Sequence, residues 1–166
     1  MRGVRFLKAD VQSLPFADGS FDFVIANMML YHVSDKPKAI SEARRMLAPG
    51  GSFACATYGE IGLVPFLGEL LRGIVEFRPM NTSFTLQNGG PLLRAAFAQV
   101  EAREYPDSFV VDDADAIVSY LMSMTYMLVL EDGVFPAERV RSALAGCIAS
   151  RGPLHIPKQY GTFICR

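Results

Sequence analysis

Cysteine is scarce in this 166-residue chain and its number is odd. Cys55, Cys147 and Cys165 have no metal-ligand spacing, which argues against a disulfide framework and against a zinc site. Each falls inside an apolar run, where a thiol behaves as a small hydrophobe, so all three are expected in the core of a protein kept in a reducing cytoplasm. Charge is also sparse: charged residues make up 20% of the chain and the formal net charge is -1. That leaves no broad basic field to hold phosphates and excludes nucleic acid as a default partner. No apolar stretch reaches the ~20 residues needed to span a bilayer. Residues 1–10 carry no apolar core of a secretory signal. There is neither an internal repeat nor a low-complexity tract. A small-molecule ligand or another protein remains as the expected partner, with no membrane association.

What the chain has instead is apolar content, 51% of its residues. That excludes disorder and suggests strands buried on both faces. The length fits one domain that buries roughly 70% of its unfolded surface.

The apolar run at residues 4–8 reads as a strand, followed by the turn-rich Leu14-Pro15-Phe16-Ala17-Asp18-Gly19-Ser20. Residues 21–26 are apolar with little alternation, as in a central parallel strand. Ser34 or Asp35 can cap a helix with Pro37 in its first turn. Ala39, Ile40, Ala43, Met46 and Leu47 form its apolar stripe, and Pro49-Gly50-Gly51 stops it. Residues 52–57 are a further strand, so 21–57 make a βαβ unit. A helical stripe follows at Leu67, Leu70, Leu71, Ile74 and Val75, and residues 60–90 read as a lid-like insertion. Residues 91–98 suit a short helix, and 99–105 with 108–111 suit strand material. Asp112 or Asp113 caps a helix running through Ile117, Leu121, Met124 and Leu128. Pro136 opens a last helix closed by Gly152, and 160–165 form a final strand.

Several of these segments, in this order and spacing, closely resemble the type 11 class I methyltransferases, which depend on S-adenosylmethionine. They are Ala9-Asp10-Val11, Leu14-Pro15-Phe16, Asp18-Gly19-Ser20-Phe21-Asp22-Phe23-Val24, the Asn27-Met28-Met29-Leu30-Tyr31-His32-Val33 stretch and Leu47-Ala48-Pro49-Gly50-Gly51. The likeness continues more weakly through Phe84-Thr85-Leu86-Gln87-Asn88-Gly89 to Gly161-Thr162-Phe163-Ile164. The resemblance implies an α/β fold with a Rossmann-like sheet of order 3-2-1-4-5-7-6, helices on both faces and an antiparallel last strand. On that frame 4–8 are strand 3, 21–26 strand 4, 52–57 strand 5, 99–105 strand 6, and 160–165 strand 7, inserted between 5 and 6.

The family's glycine-rich loop after strand 1 and the acidic residue ending strand 2 would precede Val4, where only three residues stand. The expectation is therefore a single truncated methyltransferase domain over 1–166, with strands 1 and 2 missing and little activity on its own. The loop permits close backbone approach to the cofactor, and the acidic side chain accepts two ribose hydrogen bonds. At ~1.5–3 kcal/mol for each bond to a charged group, losing two weakens cofactor binding roughly a hundredfold or more.

The resemblance carries four cofactor-binding positions onto this chain. Asp10 matches the carboxylate that accepts the adenine amine, and Val11 the backbone N–H that meets the ring. Asn27 and Met28 follow strand 4, where the family lines the methionine and adenine ends of the pocket. Asp10 reads equally well as the start of a solvated turn, and Asn27 and Met28 as a strand-end turn and a core methionine. Tyr31, His32 and Asp35 have the makings of an acid/base cluster, but His32 reads first as a packing residue. Methyl transfer can proceed by in-line placement alone, so no catalytic residue and no metal ligand is named. Met122, Met124 and Met127 could line a hydrophobic substrate pocket but read first as core or helix-interface residues, and Arg44 and Arg45 as a solvated helix face.

Without strand 1, residues 21–26 would present a bare apolar edge. A homo-oligomer, formed through that edge or by strand exchange, is the expected assembly. Two functions are therefore open: methyl transfer to a small-molecule acceptor, and a noncatalytic scaffold or assembly role built on the same fold. A nicotinamide dehydrogenase shares the sheet, but it too requires a glycine-rich loop.

Overall fold

The computed structural model describes residues 3–166. In chain order the elements are β1 (Phe21–Asn27), α1 (Lys36–Met46), β2 (Leu47–Tyr58), α2 (Leu63–Leu70), β3 (Glu76–Phe77) and α3 (Gly89–Arg94). They continue with β4 (Val100–Val111), α4 (Ala114–Ser123), β5 (Leu128–Val129), α5 (Ala137–Arg151) and β6 (Leu154–Cys165). The residues fall into two units: Met1–Gly59, Asn81–Glu104 and Tyr160–Arg166 in the first, Glu60–Met80 and Tyr105–Gln159 in the second. The 60–90 segment is thus divided between them.

In the first unit the βαβ element forms as its pattern predicts. Asp35 Oδ1 accepts the Lys38 N–H at 3.0 Å and caps α1, with Pro37 in the first turn where no donor is lost. Ala39, Ile40, Ala43 and Met46 are buried at helical spacing. α1 ends at Met46, because Leu47 has already turned to extended backbone (φ -76, ψ 130). The helix therefore stops before Pro49-Gly50-Gly51, which form a bulge in β2: Phe21 pairs with Leu47, but Phe23 pairs with Ser52. Gly51 is required there, since a Cβ would lie 3.0 Å from the carbonyl oxygens of Ala48 and Asp22.

β1 and β2 are parallel through Asn27↔Ala56, and β2 and β6 antiparallel from Phe53↔Cys165 to Tyr58↔Tyr160. The sheet order is β1-β2-β6-β4, a mixed α/β sheet in which the four segments stand in the order the resemblance implies. α1, α3 and the sheet enclose a core of Leu30, Ile40, Phe53, Phe84, Leu93 and Phe163. Cys55 and Cys165 are fully buried as expected, and burial pushes their thiols up to about 12 and about 11.

Two expectations are corrected in this unit. Residues 4–8 are not a strand: they pair with nothing, and Phe6 is 94% exposed. A short apolar run becomes a strand only beside the neighbour that takes its hydrogen bonds, and in the order 3-2-1-4 that neighbour is strand 2, which is not found among the described residues. β1 itself is an edge strand whose burial alternates. Val24 and Ala26 pack on the core, while Phe23 and Ile25 are 51% and 58% exposed.

The second unit is helical. Asp113 Oδ1 caps α4 through the Asp115 N–H at 2.8 Å. α4 packs on α5 around Leu67, Leu71, Ile117, Leu121, Val140 and Leu144, all buried. The helix expected to run on to Leu128 stops at Ser123. Met124 leaves helical geometry, and Leu128 pairs with Phe77 in the β3–β5 ribbon. Of the methionine-rich run, Met124 is in the core and Met122 faces outward. The strand material at 99–105 and 108–111 is one continuous strand, β4. α5 begins and ends where expected, with Gly152 at φ +80. β6 starts six residues earlier than the apolar pattern suggested, at Leu154 rather than 160.

Candidate functional site

The loop before β1 is organised by side chains. Asp10 Oδ1 accepts the Gln12 N–H at 2.9 Å and the Gln12 side-chain amide at 3.2 Å, and Ser13 N–H donates to the Asp10 carbonyl at 3.0 Å. This is an Asx turn. The Gln12 backbone N–H, followed by its side chain, holds the Asp10 carboxyl below the ordinary carboxylate range, so it is ionised at neutral pH. Gln12 Oε1 in turn accepts the Asp35 N–H (3.2 Å) and the Ser34 hydroxyl (3.3 Å), which ties the turn to the start of α1. Val11 packs partly buried against the core. The turn reading of Asp10 is therefore correct, and it leaves the carboxylate oriented, charged and able to accept further donors.

Below this turn lies a knot that the sequence did not disclose. Arg45 Nη1 binds Asp18 Oδ1 (2.6 Å) and the Phe16 carbonyl (2.8 Å), while Nη2 binds the Leu14 carbonyl (3.2 Å). Nε and Nη2 form a two-point pair with Glu42, both at 2.9 Å. Glu42 also accepts the Leu14 N–H at 3.0 Å. Arg45 is thus the post on which residues 14–18 hang, not a solvated face. Arg44 stands 6.0 Å over the Phe97 ring. The Glu-x-x-Arg spacing on α1 was a signal available from sequence.

Asn27 and Met28 close β1. Asn27 is exposed, and Met28 has φ +49, a left-handed conformation uncommon for a non-glycine residue. Its N–H donates to the Ala56 carbonyl at 3.0 Å, which ends the β1–β2 ladder and fixes the turn. Strained backbone of this kind at a parallel strand's C-terminal end gathers at functional sites. Met28 is partly exposed, so it is not a core methionine.

Directly after it, a turn at Leu30–His32 presents an aromatic group. The Tyr31 ring lies 4.7 Å from Tyr58 and 4.4 Å from His32, and Tyr58 is in register with Tyr160. Burial raises both Tyr31 and Tyr58, followed by the Tyr160 phenol acting on Tyr31 and the Tyr31 phenol acting on Tyr58. Tyr58 Oη donates to the Asn81 carbonyl, and Asn81 Nδ2 to the Tyr31 carbonyl, both at 2.6 Å. His32 is exposed, with its ring against Tyr31, and Asp35 is occupied as the cap of α1. The two do not form an acid/base pair. Tyr58 and Tyr160 escaped the sequence reading because their strand pairing is a tertiary fact. Among the described residues no cluster of metal-ligating side chains occurs.

Residues 1–55 match the model of the methyltransferase-domain family, Methyltransf_11. Over 84 residues the chain is 40% identical to the demethylmenaquinone methyltransferase of Thermus thermophilus, covering 42% of this chain and 38% of that protein. It is 28% identical over 86 residues to the ubiquinone/menaquinone biosynthesis C-methyltransferase of Rickettsia prowazekii, covering 43% and 35%. The matched stretch thus spans little more than a third of these curated relatives. Among solved structures, a protein described as a methyltransferase from an antibiotic biosynthesis pathway of Anabaena variabilis superposes with TM-score 0.59 at 16% identity, over 96% of this chain and 72% of that one. The YcgJ protein of Bacillus subtilis gives 0.53 at 18% identity, over 96% and 69%. These last two speak to fold alone, a mixed α/β sheet flanked by helices.

Proposed function

We propose that this chain, whose residues 1–55 match the methyltransferase-domain family, supplies part of an S-adenosylmethionine site for methyl transfer to a small-molecule acceptor. The observation that carries this reading is the Asp10 carboxylate, held ionised by the Gln12 turn and anchored to α1. A fixed anionic acceptor suits the adenine amine of S-adenosylmethionine, and the Val11 N–H suits the ring. Asn27 and Met28, at the turn ending β1, suit the methionine and adenine ends of the same ligand. Bound there, the cofactor would supply an activated methyl group. The residues named here would bind and orient it, and in-line placement needs no dedicated base.

Residues 1–166 contain no Gly-x-Gly pattern, so on this reading the loop that cradles the methionine end must come from elsewhere, and the chain alone is weakly active or inactive. The curated relatives are named for quinone methylation, which favours a quinone-class acceptor here. No helix of the described residues is long and apolar enough to cross a membrane. Three free cysteines, two of them fully buried, suit the cytoplasm.

A second reading, a noncatalytic assembly protein, is favoured by one observation: among the described residues β1 is an edge strand, and its own Phe23 and Ile25 are exposed. On either reading we expect a homo-oligomer that covers this edge. Calorimetric titration with S-adenosylhomocysteine separates the two functions. The transferase reading expects saturable binding that Asp10→Ala weakens at least tenfold without loss of fold. Absence of heat, with an unchanged melting temperature at millimolar ligand, leaves the assembly reading. Light scattering that finds a monodisperse monomer sinks the oligomer under both.

A further inference from the structure

The second unit contains an apolar pocket of ≈ 120 Å³ that the cofactor reading does not use. Its walls are Leu63 from the start of α2, Val111 at the end of β4, Ile117 on α4 and Ile156 on β6. Ile117 and Ile156 are almost fully buried, while Phe109, Ala116 and Tyr120 at the rim are exposed, so the space opens to solvent. The Tyr120 phenol is the lining's only side-chain polar group.

Apolar carbon left facing water at such an opening gains from an apolar group that covers it. A space lined by aliphatic and aromatic carbon is poor in the two to four polar partners a water needs. Here two aromatic side chains flank the mouth and favour a ring set at an offset or edge-on angle to them. The Lys158 ammonium lies 4.8 Å from the Phe109 ring centre and also pairs with Asp107, which holds Phe109 in place at the rim.

We infer that this pocket is a binding site for a neutral ligand group of about one aromatic ring. The inference concerns the second unit alone and stands whether or not the chain binds S-adenosylhomocysteine. Toluene is the probe, with methylcyclohexane as its aliphatic counterpart, observed by methyl NMR of the isoleucine-, leucine- and valine-labelled chain. The expected result is saturable shifts of the Leu63, Val111, Ile117 and Ile156 methyls, with toluene binding at least threefold more tightly than methylcyclohexane. Ala116→Leu, at an exposed helical position that tolerates leucine, places a side chain over the mouth and is expected to weaken toluene binding at least tenfold. Linear shifts without saturation, or shifts that Ala116→Leu leaves unchanged, would overturn the site. Equal affinity for the two probes would overturn the aromatic assignment. Tyr120→Leu, which replaces one of the two flanking rings by a smaller aliphatic side chain, is an independent check: it should reduce the preference for toluene while binding persists.

Discussion

Gly161 offers the sharpest test of the sheet. It sits in β6 between β2 and β4, and a Cβ built on it would lie 2.6 Å from the Arg103 carbonyl oxygen, 2.9 Å from Leu86 Cδ2 and 3.2 Å from Glu104 Cα. Leu86 can change rotamer, but Arg103 and Glu104 meet the methyl with backbone. Gly161→Ala must therefore push β4 away from β6 by several tenths of an ångström, and the ladder there lengthens. Overpacking of this kind costs about 1–3 kcal/mol, and a backbone collision belongs at the upper end, about 3 kcal/mol. For a chain of this size each kcal/mol lowers the melting temperature by about 2–4 °C, so a fall of about 6–12 °C is expected. Gly146 in α5 is the internal control: nothing lies within 4 Å of its would-be Cβ. There alanine gains helix propensity and should stabilise by about 0.5–1 kcal/mol. Urea unfolding followed by circular dichroism reads both. A Gly161→Ala protein within about 1 kcal/mol of wild type would refute the close β4–β6 approach and the strand order built on it.

Three further outcomes follow from the same geometry. Glu42 is held down to about 2 by hydrogen bonds from Arg45 and then the Leu14 N–H, against an ordinary 4.5. Its folded-state value is depressed, so its stabilisation is complete above the unfolded value and fades as pH falls from 4.5 towards 2. The melting-temperature gap between wild type and Glu42→Gln should close over that window, and a gap constant with pH would show that the knot is neutral. Thr57 is 1% exposed and donates to the Phe84 carbonyl at 2.9 Å. Thr57→Val keeps the shape but leaves that carbonyl short of a donor, for an expected loss of about 1–2 kcal/mol in urea, with less than about 0.5 kcal/mol arguing that water reaches it. Asp35→Ala removes the α1 cap and should cost about 1 kcal/mol, largely restored by Asp35→Ser, since serine offers the Lys38 N–H the same acceptor. If serine fails to restore it, the capping bond is not the source of the loss.

Local chemistry alone settled much of this protein. The 21–57 βαβ unit was legible because its signals act over a few residues: an apolar strand, an Asp-x-Pro start and a stripe at 39, 40, 43 and 46. The same holds for α5, bounded by Pro136 and Gly152, and for the Asp113 cap of α4. The order of the four long strands and the positions of Asp10, Val11, Asn27 and Met28 came from resemblance, which is a memory of tertiary structure rather than a local signal. What the chain did not reveal depends on neighbours far away in sequence. Residues 4–8 have strand composition, but the strand that the order 3-2-1-4 would place beside them is not found among the described residues. Leu128 fits a helical stripe, yet it is drawn into a ribbon by Phe77. Arg45 looks solvated until Leu14, Phe16 and Asp18 fold back onto it, and Tyr31, Tyr58 and Tyr160 converge only once β2 and β6 pair. Hydrophobic period and capping fix an element because its own residues supply the stabilising contacts. Partners, edges and pockets are fixed by groups that meet only after the chain has folded, and for those the tertiary structure alone decides.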